Sequence, residues 1–150
     1  MEVIVLCGLP GSGKSTFCRE QLYNTHIRLN LDMLKTRHRE KILLEAMIAA
    51  KQPFVVDNTN PKPADRARYI VPAKAAGFRV AIYYFSVPFH VASARNMQRP
   101  TKAIVPEKGM AAILKAMTIP TWEEGVDSLF RVSSEDGFNF DLHEDIGNEF

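Results

Sequence analysis

The chain lacks any apolar run near the roughly 20 residues that a membrane-spanning helix needs, which excludes a helical membrane protein. Cysteine is scarce: there are two, Cys7 and Cys18, with no CxxC pair, and the four histidines are scattered at no metal-ligand spacing. A disulfide framework and a zinc site of ordinary spacing are both excluded. Each cysteine falls in a segment expected to be core, so both read as buried, reduced thiols. That fits a cytoplasmic protein. The short apolar start has no basic segment before it and is broken by glycines, so it reads as a core strand and not a secretion signal. Repeats and low-complexity tracts are absent.

Positive charge is missing from the last 18 residues. Residues 1–132 hold all 19 Lys and Arg and 11 of the 17 acids, whereas 133–150 hold the other six acids. The net charge of +2 therefore hides a basic body and an acidic tail. A basic body suits a polyanionic partner such as nucleic acid. With 150 residues the expectation is one domain over 1–132, followed by an acidic C-terminal tail over 133–150 that is solvated and partly disordered. A sharper alternative lays the tail, with its three phenylalanines, in the basic acceptor groove or on a neighbouring subunit.

What is present is alternation of strand and helix patterns. Val3 to Cys7 is a continuous apolar run suited to a strand buried on both faces. A glycine loop follows, then a helix over Thr16 to Tyr23. Short strands are expected at His26 to Asn30 and Phe54 to Val56, separated by one long helix from Asp32 to about Lys51. A helix from Pro63 to Gly77 should kink or break at Pro72. Phe78 to Phe85 is a fourth strand, Phe89 to Arg99 a helix, and Pro106 opens another helix reaching about Met117. Thr121 with Glu124 fits a capping box, and Ser128 to Val132 is a fifth strand. Such alternation implies a parallel sheet with helices on both faces.

The chemistry starts at Gly8-Leu9-Pro10-Gly11-Ser12-Gly13-Lys14-Ser15, which fits G-x-x-x-x-G-K-[ST] in full. Backbone N–H groups, those of Ser12, Gly13 and Thr16 among them, must converge on phosphate oxygens, and a Cβ at the glycines would obstruct them. The loop opens a helix whose N-terminus favours an anion. Lys14 follows the β- and γ-phosphates of ATP, and Ser15 offers a hydroxyl to Mg²⁺. Asp57, at the end of the third strand, stands where a second Mg²⁺-binding group, a carboxylate, would sit; it could bind Mg²⁺ through water or orient the acceptor. Asn58, Thr59 and Asn60 complete the turn and are candidate acceptor-binding residues.

Asp32, 18 residues after Lys14, ends the second strand on the ligand side of such a sheet. It is the candidate general base for an attacking hydroxyl, or else an N-cap. One turn on, Lys35 is expected to face the same way and hold an acceptor phosphate, with Arg39 a further turn along. Arg95 and Arg99 share a helix face leading into the loop 100–106. Cations on a small closing lid would stabilise the charge of phosphoryl transfer.

With these runs in place, the sequence resembles the kinase domain of phage and animal polynucleotide 5′-hydroxyl kinases. The likeness covers Glu2 to Val132 and rests on GLPGSGKST, NLDMLK, VVDNTNPKPADRARYI with AKAAGF, ARNMQRPTKAIVP and PTWEEG. It implies an α/β P-loop kinase fold: a five-stranded parallel sheet in the order 2-3-1-4-5, helices on both faces and a small lid. It implies transfer of the γ-phosphate of ATP to a 5′-hydroxyl end of DNA or RNA. Asp32 matches the general base, Lys14 and Ser15 the phosphate-loop pair, and Arg99 and Arg95 the lid arginines. Lys35 stands where the phage enzyme has an acceptor-binding arginine, and lysine lacks that residue's bidentate fork. No DxDGT run is present, so no 3′-phosphatase activity is expected. Two rivals stay open: a P-loop kinase of a small molecule or of a modified-nucleobase hydroxyl, and an ATP-hydrolysing switch or motor with no acceptor.

Overall fold

Along β1 (Glu2–Cys7), Val3, Val5 and Cys7 enter one core cluster while Ile4 and Leu6 enter another. This two-residue alternation gives a central strand two buried faces, so the sheet needs helices on both. The structure, a computed structural model, describes residues 1–145. Its strands are β1, β2 (Ile27–Leu29), β3 (Phe54–Val56), β4 (Arg79–Phe85), β5 (Ser128–Ser133) and β6 (Asp141–Glu144), in the order β2-β3-β1-β4-β5-β6. The first five are parallel in the expected order. The sixth corrects the five-strand expectation: β6 pairs antiparallel with β5, Val132 opposite Leu142.

Helix α1 (Lys14–Phe17) continues directly as a wider π-turn, Cys18–Leu22. Helices α2 (Leu31–Leu34) and α3 (Arg37–Ala50) replace the single long helix expected from Asp32. The break falls at Lys35, whose φ of 74° is left-handed, and at Thr36, whose side chain caps α3 by accepting from Arg39 N. Helix α4 (Pro63–Ala75) runs through Pro72 without the expected break. Pro72 lies in its last turn, and the residue whose carbonyl loses a partner, Arg68, is exposed. Helices α5 (Phe89–Met97) and α6 (Glu107–Ala116) come next, and the capping box at Thr121 and Glu124 forms.

One face of the sheet packs Leu44, Met47, Tyr69, Ile70 and Ala73 from α3 and α4. The other packs Phe17, Cys18 and Leu22, joined by Phe140. Burial raises the Cys7 thiol to about 11 and the Cys18 thiol to about 12, so both are protonated and inert at neutral pH. The expectation of a loose tail is corrected for residues 133–145. Phe140 stands edge-on to Phe17 at 5.3 Å, and Asp136 ties a tight turn by accepting from Phe138 N and Asn139 N. The rest of that predicted tail, 146–150, lies outside the described residues.

Candidate active site

The carboxyl ends of β1, β2 and β3 are stitched together: Gly8 N donates to Thr59 O and Asp57 N to Leu29 O. The phosphate loop therefore faces the segments after β2 and β3 across one cleft. Glycine is required in that loop for two reasons. Gly11 has φ 81° and a Cβ there would run into the carbonyl oxygen of Ala92 in α5. Gly13, the N-cap of α1, has φ 101°.

Lys14 is buried and donates through Nζ to Gly8 O and Leu9 O, each at 2.8 Å, and to Ser12 Oγ at 3.3 Å. Burial lowers its pKa to about 8 against the pull of Asp57, and Arg99 lowers it further. Ser15 Oγ donates to Asp57 Oδ2 at 2.9 Å. Arg28 Nε, on β2, donates to the same oxygen at 2.7 Å, and Asp57 is 2% exposed. Arg28 was not picked out from the sequence; its pairing spans 29 residues and carries no local motif. The Ser15 hydroxyl and the Asp57 carboxylate form an adjacent pair of hard oxygen donors, which fits Mg²⁺.

Arg95 and Arg99 both line this cleft. Arg95 donates through Nη2 to Ser134 O at 3.4 Å, while its Nη1 is buried with no partner among the described residues. A buried guanidinium nitrogen left without a protein acceptor fits an anion at that end of the cleft. Asn96 braces the lid loop by donating to Val105 O and accepting from Val105 N. Glu135, Asp136, Gly137 and Phe138 line the cleft beside Arg95, so the acidic segment lies on the lid side and not along the face of α3.

Asp32 and Lys35 are both exposed and line the same cleft as Gly13, Lys14 and Ser15. The N-cap of α2 is Asn30, which accepts from Met33 N, so the N-cap alternative for Asp32 does not hold. The helix break re-aims the side chains beyond it. Lys35 is not on a continuous helical face with Asp32, and Arg39 is turned to Leu34 O, at 3.2 Å, outside the cleft lining. Arg37 takes the place in the lining expected of Arg39. It donates to Glu40 Oε1 at 2.8 Å and Tyr69 Oη at 3.0 Å. Burial, with the Glu40 charge, raises the Tyr69 hydroxyl, which stays a donor.

The turn residues divide by task. Asn58 accepts from Leu31 N and donates to Glu40 Oε2 and Tyr69 Oη. Asn60, at φ 47°, donates to Leu6 O at 2.7 Å. Thr59 contributes its carbonyl to the loop contact. All three line the cleft, yet the side chains of Asn58 and Asn60 are committed to the frame. The cleft holds about 1580 Å³. That exceeds the roughly 300–1,000 Å³ typical of one small-ligand pocket, so there is room for a nucleotide and a second substrate.

A full phosphate loop, an adjacent hydroxyl–carboxylate pair and two arginines lining one cleft on a 2-3-1-4-5 parallel core define a domain of P-loop kinase-type fold. The family profile described as "AAA domain" matches residues 3–120, and the chain belongs to that family. It is 30% identical over 136 residues to a bifunctional polynucleotide phosphatase/kinase of Schizosaccharomyces pombe, covering 87% of this chain and 33% of that protein. The chain thus spans about a third of the length of the curated relatives it matches. Among solved structures it is similar to Chaetomium thermophilum Kti12 in complex with ADP-AlF3, with TM-score 0.65 and 18% identity over 91% of this chain and 93% of that one. A gluconokinase from Sinorhizobium meliloti superposes with TM-score 0.59 and 18% identity over 89% and 83%. No helix among the described residues is long and apolar enough to cross a membrane.

Proposed function

We propose that the chain is a polynucleotide 5′-hydroxyl kinase, transferring the γ-phosphate of ATP to a 5′-OH end of DNA or RNA. The carrying observation is a single cleft with the phosphate loop on one wall and an acid followed by basic residues, Asp32, Lys35 and Arg37, on the other. The likeness to a polynucleotide phosphatase/kinase over 87% of the chain supports the acceptor class.

The 5′-hydroxyl oxygen attacks the γ-phosphorus in line, the bond to the β-phosphate oxygen breaks, and ADP leaves. Asp32 takes the hydroxyl proton as the new bond forms. Lys14 exchanges its loop carbonyls for phosphate oxygens, and Arg95 and Arg99 meet the charge on the transferring group. Ser15 and Asp57 would hold Mg²⁺, whose role when bound is to neutralise phosphate charge. Lys35 attracts the acceptor's phosphates as a point charge.

The test is transfer from labelled ATP to 5′-hydroxyl oligonucleotides of DNA and RNA against nucleosides, sugars and water. Labelled 5′ ends confirm the reading. Preferred transfer to a sugar, the rival that the gluconokinase-like fold keeps in view, overturns it, and so does turnover that ignores every hydroxyl.

A further inference from the structure

Arg37 has no counterpart among the motifs that define this site, yet its surroundings are those of a built side chain. It lies two residues past the helix break and lines the cleft with Asp32 and Lys35. Its Nη1 is fixed from two sides, by Glu40 Oε1 at 2.8 Å and Tyr69 Oη at 3.0 Å. Among the described contacts Nε and Nη2 have no protein partner. The side chain is 50% exposed, whereas the carboxylate that holds it is 2% exposed.

A buried carboxylate is costly unless every oxygen is met. Here both are: Tyr69 Oη donates to Oε1 at 2.9 Å beside Arg37, and Asn58 Nδ2 donates to Oε2 at 3.2 Å. Asn58 in turn accepts from Leu31 N, next to Asp32. One hydrogen-bonded frame thus ties the guanidinium to the start of the helix that carries the proposed base. Tyr69 is itself fully buried in the core. A surface arginine that only solubilises a helix needs no such support. Fixing one nitrogen of a planar cation orients the other two donors, which match two oxygens of a phosphate.

We infer that Arg37 binds a backbone phosphate of the acceptor strand through Nε and Nη2, and supplies the bidentate contact that Lys35 cannot make. The inference rests on the polynucleotide reading above and deepens it. The Glu40–Tyr69–Asn58 frame sets the position of this phosphate relative to Asp32, so the contact fixes where the 5′-hydroxyl falls.

The experiment compares the full chain with Arg37→Ala, Arg37→Lys and the double variant R37A/E40Q. The double variant removes the cation and the buried charge together while keeping an amide for Tyr69 and Asn58. Acceptors are a 5′-hydroxyl oligonucleotide, a nucleoside 3′-monophosphate and the bare nucleoside. In Arg37→Ala and in the double variant the oligonucleotide KM rises about tenfold or more, and the loss shrinks as acceptor phosphates are removed. The salt dependence of oligonucleotide binding flattens by about one released counterion. The KM for ATP stays within about twofold, and Arg37→Lys recovers only part of the loss. A folded double variant with the wild-type oligonucleotide KM and salt slope overturns the role of Arg37 while leaving the kinase reading intact. A wild-type chain that transfers to no polynucleotide end overturns both.

Discussion

On the phosphate-loop wall of the cleft, Lys14, Ser12 and Asp57 are buried, Lys14 is hydrogen-bonded to Ser12 and the loop carbonyls, and Asp57 is held at Oδ2 by Ser15 and Arg28. On the facing wall, Asp32, Lys35 and Arg37 reach solvent, and order comes from a buried frame one layer behind them. The first wall is shaped by backbone: three glycines and a helix start leave little to adjust. The second is shaped by side chains brought from α3, α4 and the turn after β3. A nucleotide phosphate is the same in every turnover, so a rigid receptor costs nothing in generality. Under the proposed reading the acceptor is a polymer end that varies in base and shape, and longer, solvated side chains supported from beneath suit such a guest.

The contrast can be broken in descending order of effect. If Asp32 is the proposed proton acceptor, Asp32→Ala lowers transfer by about 10²–10⁴-fold while nucleotide binding, measured by calorimetry, is retained. Equal loss of both would erase the division between the walls. Gly11→Ala strikes the opposite wall. Its Cβ meets the Ala92 carbonyl at a φ of 81°, so a loss of about 3 kcal/mol in stability is expected, with nucleotide affinity falling alongside it. An unchanged melting temperature would show that the loop is softer than described.

Lys14 gives a pH signature. Its pKa lies near 8 in the folded chain against an ordinary 10.5, lowered by burial. Between those values the unfolded chain binds more protons, so stability of the nucleotide-free protein rises as pH increases from about 8 to about 10.5, by at most roughly 3 kcal/mol. Nucleotide binding above pH 8 takes up a proton, and affinity weakens as pH rises through that window. Calorimetry in buffers of different ionisation enthalpy reads that proton. The smallest effect separates strain from charge at Lys35. Lys35→Gly relieves a left-handed backbone by about 1 kcal/mol relative to Lys35→Ala, yet both variants lose the same acceptor affinity. A glycine variant that binds acceptor as well as wild type would remove Lys35 from the site.

Legibility in the sequence splits along the same divide. The phosphate loop is eight consecutive residues whose types are dictated by backbone geometry, so Gly8 to Ser15 could be read directly. The parallel order of five strands came from apolar runs and the resemblance. The facing wall depended on a break at Lys35 that no proline or glycine announces, and on pairs such as Arg37 with Tyr69 or Asn58 with Glu40, 32 and 18 residues apart. Such pairs leave no local pattern. The tail misled for a different reason. All four residues of β6 are exposed, so it has no apolar alternation to detect. Its place comes from the ladder with β5, the Asp145 N bond to Leu129 O and the wedge of Phe140 on Phe17.

The self-contacts of Lys14 have one more consequence. With its ammonium turned back onto Gly8 and Leu9, Lys14 fastens the far end of the loop to its beginning. Yet a desolvated cation whose hydrogen bonds all go to neutral oxygens is an uneasy tenant, even with the Asp57 charge nearby. A methionine of similar length at that position would make the resting protein sturdier while emptying it of purpose, so durability and usefulness pull against each other at a single side chain.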